Sequence, residues 1–150
     1  LIIFRPHNVY GPNMGNEHVI PQFINSIIPQ LQNKEIILEI QGSGEETRSF
    51  IYIDDFIESF DLIFSKGLDQ NIYNIGTQDE VSINFLVELL SKIINKKITI
   101  KNRDINKGST TRRCPEISKI KSLGFKSKIN LEEGINKTFK WYIKEYEKKI

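Results

Sequence analysis

Four consecutive apolar residues, Leu1-Ile2-Ile3-Phe4, run straight into Arg-Pro-His-Asn-Val-Tyr-Gly-Pro at positions 5 to 12. A strand that is apolar at every position, rather than at alternate ones, has no face for water and belongs inside a parallel sheet covered on both sides. Two prolines, Asn8 and Gly11 then stop regular structure. Such a strand needs neighbours on both edges. With no methionine ahead of it, the chain reads as beginning inside a larger protein.

Beyond Pro12 the apolar spacing alternates between helical and extended. Ile20, Phe23, Ile24, Ile27, Ile28 and Leu31 recur at helical intervals, with Pro21 in the first turn, where its missing N–H is tolerated, and Pro29 limiting the end. Glu35 to Gln41 (EIILEIQ) predicts a strand closed by Gly42-Ser43-Gly44, and Arg48 to Ile53 (RSFIYI) predicts a second. Asp54 and Asp55 end it and read as an N-cap plus first-turn charge for a helix striped by Phe56, Ile57, Phe60, Ile63 and Phe64. Asn71 to Ile75 reads as a buried strand ended by Gly76. Ser82 caps a helix carrying Ile83, Leu86, Leu90, Ile93 and Ile94, Ile98 to Ile100 is a short strand, and Asn102 to Arg113 is polar. Pro115 opens a short helix closed by Gly124. Asn130 and Glu133 have capping-box spacing ahead of a stripe of Leu131, Ile135, Phe139, Tyr142 and Tyr146. Strand and helix alternate, which is an α/β rhythm.

The net charge is only +2, yet residues 1–75 hold 4 basic and 10 acidic groups while residues 76–150 hold 17 and 9. Asymmetry of this kind accompanies some nucleic-acid binders. Here Lys137, Lys140 and Lys144 fall opposite the apolar stripe of the last helix and read as a solvated face, so no nucleic-acid partner is expected. The one cysteine, Cys114, excludes a disulfide framework and a multi-cysteine zinc site. His7 and His18 belong to no metal-ligand pattern, so no metal is expected. No run of about 18 apolar residues occurs, hence no membrane partner is expected, and the default location is cytoplasmic.

Few residues stand out for chemistry. Gly42-Ser43-Gly44 fits neither phosphate-loop pattern and is a turn on its own. Arg48, four residues on, gives it interest, because a guanidinium beyond a glycine turn can reach a phosphate with two parallel charge-assisted bonds. Arg113 is the second such candidate. Spacing alone goes no further than a soluble α/β domain.

The order of the segments goes further. RPHNVYGP after an apolar strand, VIPQFI opening a helix, then QGSGEETRSFIYIDDF, YNIGT, TRRCPEISKIKSLGF and INLEEGINKTFKWY together resemble the extended short-chain dehydrogenase/reductases, the nucleotide-sugar epimerases, dehydratases and decarboxylases. The resemblance runs from Arg5 to about Tyr142. It implies the C-terminal half of such an enzyme: a substrate-binding part joined to the last strands and helix of a Rossmann fold whose N-terminal half binds NAD. Residues 1–12 and 48–78 would be the Rossmann side, and 13–47 and 79–150 the substrate lobe. Pro6 and His7 would pass the nicotinamide. Asn8, Val19, Ile20, Arg48 and Arg113 would hold the nucleotide and its diphosphate, and Glu116, in place of the more usual aspartate, a ribose hydroxyl. Gln41 stands where the family commonly has an aromatic residue against the base, so here the base would be hydrogen-bonded.

The family passes a hydride from the sugar, usually from C4, to NAD, with the tyrosine of Tyr-x-x-x-Lys as base. None of Tyr10, Tyr52, Tyr73, Tyr142 or Tyr146 has a lysine four residues on, and no GxxGxxG occurs. The resemblance therefore implies no catalytic residue within this chain, inactivity of the chain alone, its own N-terminal Rossmann half as a partner, and an open question of homodimerisation. A standalone non-catalytic nucleotide-sugar binding module is the alternative.

Overall fold

The computed structural model describes residues 1–104 and 108–148. In chain order these form β1 (Ile3–Pro6), β2 (Val9–Tyr10), α1 (Val19–Ile27) with a 3-10 turn over Ile28–Gln30, β3 (Ile36–Gln41), β4 (Thr47–Ser49) and β5 (Ile51–Tyr52). Then follow α2 (Ile53–Lys66), β6 (Ile72–Ile75), β7 (Glu80–Ser82), α3 (Ile83–Ile94), β8 (Ile98–Arg103), β9 (Arg112–Arg113), α4 (Ser118–Ser122) and α5 (Leu131–Glu147). The strands pair in small groups: β1 with β6, β2 with β5, β3 with β8, all parallel, and β7-β4-β9, in which β7 is antiparallel and β9 parallel to β4.

The single strand expected over Arg48 to Ile53 is two. β4 pairs with β7 and β9 while β5 pairs with β2, so the chain changes sheets at Phe50, whose carbonyl accepts from the Thr77 hydroxyl at 2.9 Å. Ile53 is already the first residue of α2. The polar stretch after Asn102 also holds more structure than its composition suggests: β8 runs on to Arg103, and Arg112–Arg113 form β9. The short helix starts at Ser118, three residues past Pro115.

Two apolar clusters hold the elements. The larger gathers Ile20, Ile24 and Ile27 of α1, Ile36, Leu38 and Ile40 of β3, Leu86 and Leu90 of α3, and Ile135 and Phe139 of α5. EIILEIQ serves it by strict alternation, since Ile36, Leu38 and Ile40 point inward and Ile37, Glu39 and Gln41 outward. The smaller joins Ile51, Ile63, Tyr73 and Ile75 to Ile117, Ile120 and Phe125 around α4.

Gly134 sets the approach of α5 to the larger cluster. A Cβ there would lie 2.1 Å from the hydroxyl of Tyr10, which is buried with its ring edge-on to Phe50 and Tyr52. Overpacking costs about 1–3 kcal/mol, against about 1 kcal/mol that alanine gains over glycine within a helix. Because the Tyr10 ring is wedged from two sides, the clash wins. Gly134→Ala is expected to lower stability by about 1 kcal/mol net, read as a fall in the urea midpoint; an unchanged or higher midpoint would count against this packing.

The N-caps divide into met and unmet expectations. Ser82 accepts from Phe85 N, and Asn130 accepts from Glu133 N, but the Glu133 carboxylate turns to Lys137 instead of closing the capping box. The aspartate pair meets half of its expectation: Asp54 and Asp55 both lie in the first turn of α2, where acidic charge suits the helix dipole, but the N-cap residue is Tyr52, without a side-chain bond. Asp55 is instead 2% exposed, and its carboxylate accepts from the Ser127 hydroxyl (2.8 Å) and from the backbone N–H groups of Lys128 and Ile129 (both 3.1 Å).

The apolar opening also departs from expectation. β1 is exposed along its length, with Ile3 and Phe4 open to solvent. On α2 the expected core stripe splits, Ile63 facing inward while Ile57, Phe60 and Phe64 face out, Phe64 at 85%. Phe4 and Phe60 stack edge-on, 5.2 Å between centroids, on this outer surface, while Ile72 of the partner strand β6, opposite Ile3, is exposed on the other face of the strand pair. Apolar residues on one strand edge and one helix face form a continuous uncovered surface. No described helix is long and apolar enough to cross a membrane.

Candidate functional site

A cleft of about 920 Å³ is lined by the outward side of α1 (Val19, Gln22, Ser26), the outward face of β3 (Ile37, Glu39, Gln41), and Arg48, Arg103 and Arg113. A smaller cavity of about 150 Å³, bounded by Asn8, Tyr10, Ile20 and Phe50, shares Glu17, Val19, Arg48 and Arg113 with it. Six of the nine residues expected at a site therefore converge: Asn8, Val19, Ile20, Gln41, Arg48 and Arg113. Pro6, His7 and Glu116 line neither space.

The arginine pair is a product of strand register. Arg48 of β4 stands opposite Arg113 of β9. The Arg48 guanidinium donates to three carbonyls, Thr47 O (2.7 Å), Thr110 O (2.7 Å) and Thr111 O (3.3 Å), and Arg113 Nε donates to the Thr110 hydroxyl at 2.9 Å. All these acceptors are neutral. Burial first, and the Arg113 charge second, pull Arg48 below its ordinary pKa, with Glu46 acting the other way. Two adjacent guanidinium groups, bonded to no carboxylate among the described residues, repel one another, and a bound dianion relieves that repulsion while taking charge-assisted bonds from both.

Besides Glu17, three further charged residues line the cleft, and each has a partner. Arg103 pairs with Glu39 across β3 and β8. Glu46 is held by the glycine turn: its carboxylate accepts from Gly44 N (2.9 Å) and Ser43 N (3.2 Å). Burial raises its pKa, but the N–H groups of Glu46, Ser43 and Gly44 prevail and hold it below the usual value. The turn's donors thus serve the protein itself. Gly44, at φ +86°, packs so that a Cβ would lie 2.0 Å from Asn84 Oδ1.

Backbone shapes the smaller cavity. Asn8 adopts φ +44°, a region open to asparagine, and its amide donates to Ser49 O at 2.8 Å, tying the loop after β1 to β4. α1 begins at Val19 with no side-chain cap on its N-terminal groups, and Pro21 removes one donor. A helix amino end of this kind favours negative charge. The residues left outside have other partners. His7 N donates to Ile75 O and its ring nitrogen lies 3.4 Å from Asn74 Oδ1; the Glu116 carboxylate accepts from Ser118 N at 2.6 Å.

Sequence reasoning missed Glu39 and Arg103. Alternation along EIILEIQ places Glu39 on the same outward face as Gln41, and that was the available signal.

The model of the NAD dependent epimerase/dehydratase family matches residues 1–76. A dTDP-D-glucose 4,6-dehydratase of Dictyostelium discoideum is 34% identical over 95% of this chain and 40% of its own length. Among solved structures, a UDP-glucose 4-epimerase of Thermotoga maritima, bound to UDP-glucose, superposes with a TM-score of 0.87 at 28% identity, covering 97% of this chain and 46% of that one. A dTDP-glucose 4,6-dehydratase of Streptomyces venezuelae, with NAD bound, gives 0.82 at 25% identity, covering 95% and 44%. The chain spans less than half the length of each. Half its residues match the family model and nearly all of it overlays these structures, so this chain belongs to the NAD dependent epimerase/dehydratase family.

Proposed function

We propose that the cleft holds the diphosphate of a nucleotide-diphosphate sugar, and that the chain is the substrate-binding part of an NAD-dependent nucleotide-sugar epimerase or dehydratase. The observation that carries this is the Arg48–Arg113 pair, side by side in the cleft and bonded, among the described residues, to neutral acceptors. Around it, Asn8, Val19 and Ile20 border the diphosphate and Gln41 meets the base through its amide. Glu116, whose Oε1 accepts from Ser118 N, takes the ribose hydroxyl at its other carboxylate oxygen.

NAD, the hydride acceptor for sugar oxidation at C4, is assigned mainly to an N-terminal Rossmann half. Pro6 and His7 suit its border, because they lie at or just beyond the carboxyl end of the parallel strand β1, the end at which open α/β sheets bind ligands. The uncovered surface formed by Phe4, Ile57, Phe60 and Phe64 supports such a half as the partner. In this reading residues 1–12 and 48–78 side with it, residues 13–47 and 79–150 form the lobe, and the chain alone turns over no sugar. The location is cytoplasmic, and a homodimer would form through the other half.

The coding sequence ahead of Leu1 tests the reading. It is expected to encode Tyr-x-x-x-Lys shortly upstream and a glycine-rich strand-turn-helix before that, and the joined product is expected to convert a UDP- or dTDP-sugar. An in-frame stop directly ahead of Leu1, or a joined product that converts none, would overturn it.

A further inference from the structure

Side chains alternate across a strand, so the β7-β4-β9 sheet has two faces with different work. Arg48 and Arg113 stand opposite one another in the register and line the cleft. Thr47 stands opposite Arg112, and Ser49 opposite Glu80, which places Thr47, Ser49, Glu80 and Arg112 on the reverse face. There the Glu80 carboxylate accepts from the Thr47 hydroxyl and takes both prongs of Arg112, Nε at 3.1 Å and Nη2 at 2.7 Å. The contact spans the sheet from β7, over β4, to β9. The Thr47 hydroxyl first, and Arg112 second, hold Glu80 below the usual carboxylate range, so the clamp is charged at neutral pH.

β9 needs such a fastening. It is two residues long, both are exposed, and its cleft side brings one guanidinium against another. Backbone bonds of so short a strand oppose that repulsion weakly.

We propose that Glu80 is a positioning residue for the arginine pair: by anchoring Arg112 and Thr47 on the reverse face, it fixes β9 against β4 and so holds Arg113 beside Arg48 in the cleft. The proposal rests on the nucleotide-diphosphate reading of the cleft and adds a residue that lines neither cavity. A simple charge effect predicts the opposite sign. Removing a carboxylate near an anion site strengthens anion binding by Coulomb's law, whereas loosening the clamp weakens it.

The test is calorimetric titration of uridine diphosphate and inorganic pyrophosphate into the full chain. Glu80→Gln is expected to weaken both ligands about tenfold, the penalty of a site left loose by a lost support. Thr47→Val, neutral and nearly the same shape, cuts the same clamp and is expected to weaken both in the same direction; it carries the test if Glu80→Gln does not fold. In an Arg113→Ala background, Glu80→Gln is expected to add nothing, because the group it positions is gone. Affinity in Glu80→Gln equal to or above wild type, or a full additional loss in the Arg113→Ala background, would overturn the proposal. Failure of the wild-type chain to bind either probe would overturn the cleft reading itself.

Discussion

Asp55→Ala is expected to lower stability by about 3 kcal/mol, the cost of stranding several polar groups that have lost a charged acceptor. The carboxylate is 2% exposed and takes three donors from one short segment, Ser127 to Ile129. That segment links α4 to α5, so the bond set fixes where the last helix begins relative to α2. Alanine strips the Ser127 hydroxyl and the two N–H groups of their acceptor, while asparagine retains one acceptor oxygen. Asp55→Asn should accordingly lose less than Asp55→Ala. Urea unfolding followed by circular dichroism checks both; a change below about 1 kcal/mol for alanine, the ordinary size of a surface substitution, would show that the tether contributes little.

Arg113→Ala is expected to weaken uridine diphosphate binding about 10- to 150-fold, the equivalent of the 1.5–3 kcal/mol carried by a hydrogen bond to a charged group. Its stability should not fall. Arg113 is exposed, its side chain bonds the Thr110 hydroxyl, and its removal relieves repulsion on Arg48. Arg48→Ala differs in kind, because Arg48 also bonds the carbonyls of Thr110 and Thr111 and so helps to shape the wall of the cleft. It should lose binding and stability together. Arg48→Lys keeps the charge but not the planar fork that reaches two acceptors at once, and should restore only part of either. Titration calorimetry with melting curves separates these cases; equal affinity in Arg113→Ala and wild type would remove the arginine pair from the site.

Much of this was legible from local pattern. EIILEIQ is a strand by alternation, and Asn130 and Ser82 announce helices by their caps, because those signals depend on residues within a turn of one another. Six of the nine residues expected at the site meet in space, yet their convergence was legible only through family resemblance. Nothing local brings Arg48 beside Arg113, which is a register between strands 65 positions apart in sequence. Asp55 shows the same limit: beside a helix start an aspartate reads as a cap, and only tertiary packing turns it toward Ser127. RSFIYI failed for another reason, since extended residues carry no local mark of which sheet they join. The stripe of α2 was read as core because an apolar helix face shows that it must be covered, not by what.

The central claim is that a nucleotide diphosphate lies between the amino end of α1 and the arginine pair. Backbone amide NMR of the full chain, titrated with uridine diphosphate, tests it most directly. Shifts are expected to concentrate at Asn8, Val19, Ile20, Gln41, Arg48 and Arg113, leaving Ile57, Phe60 and Phe64 of the outer α2 face unmoved. A spectrum that does not change, or one whose changes gather on α2 and β1 and spare the cleft, would contradict the account.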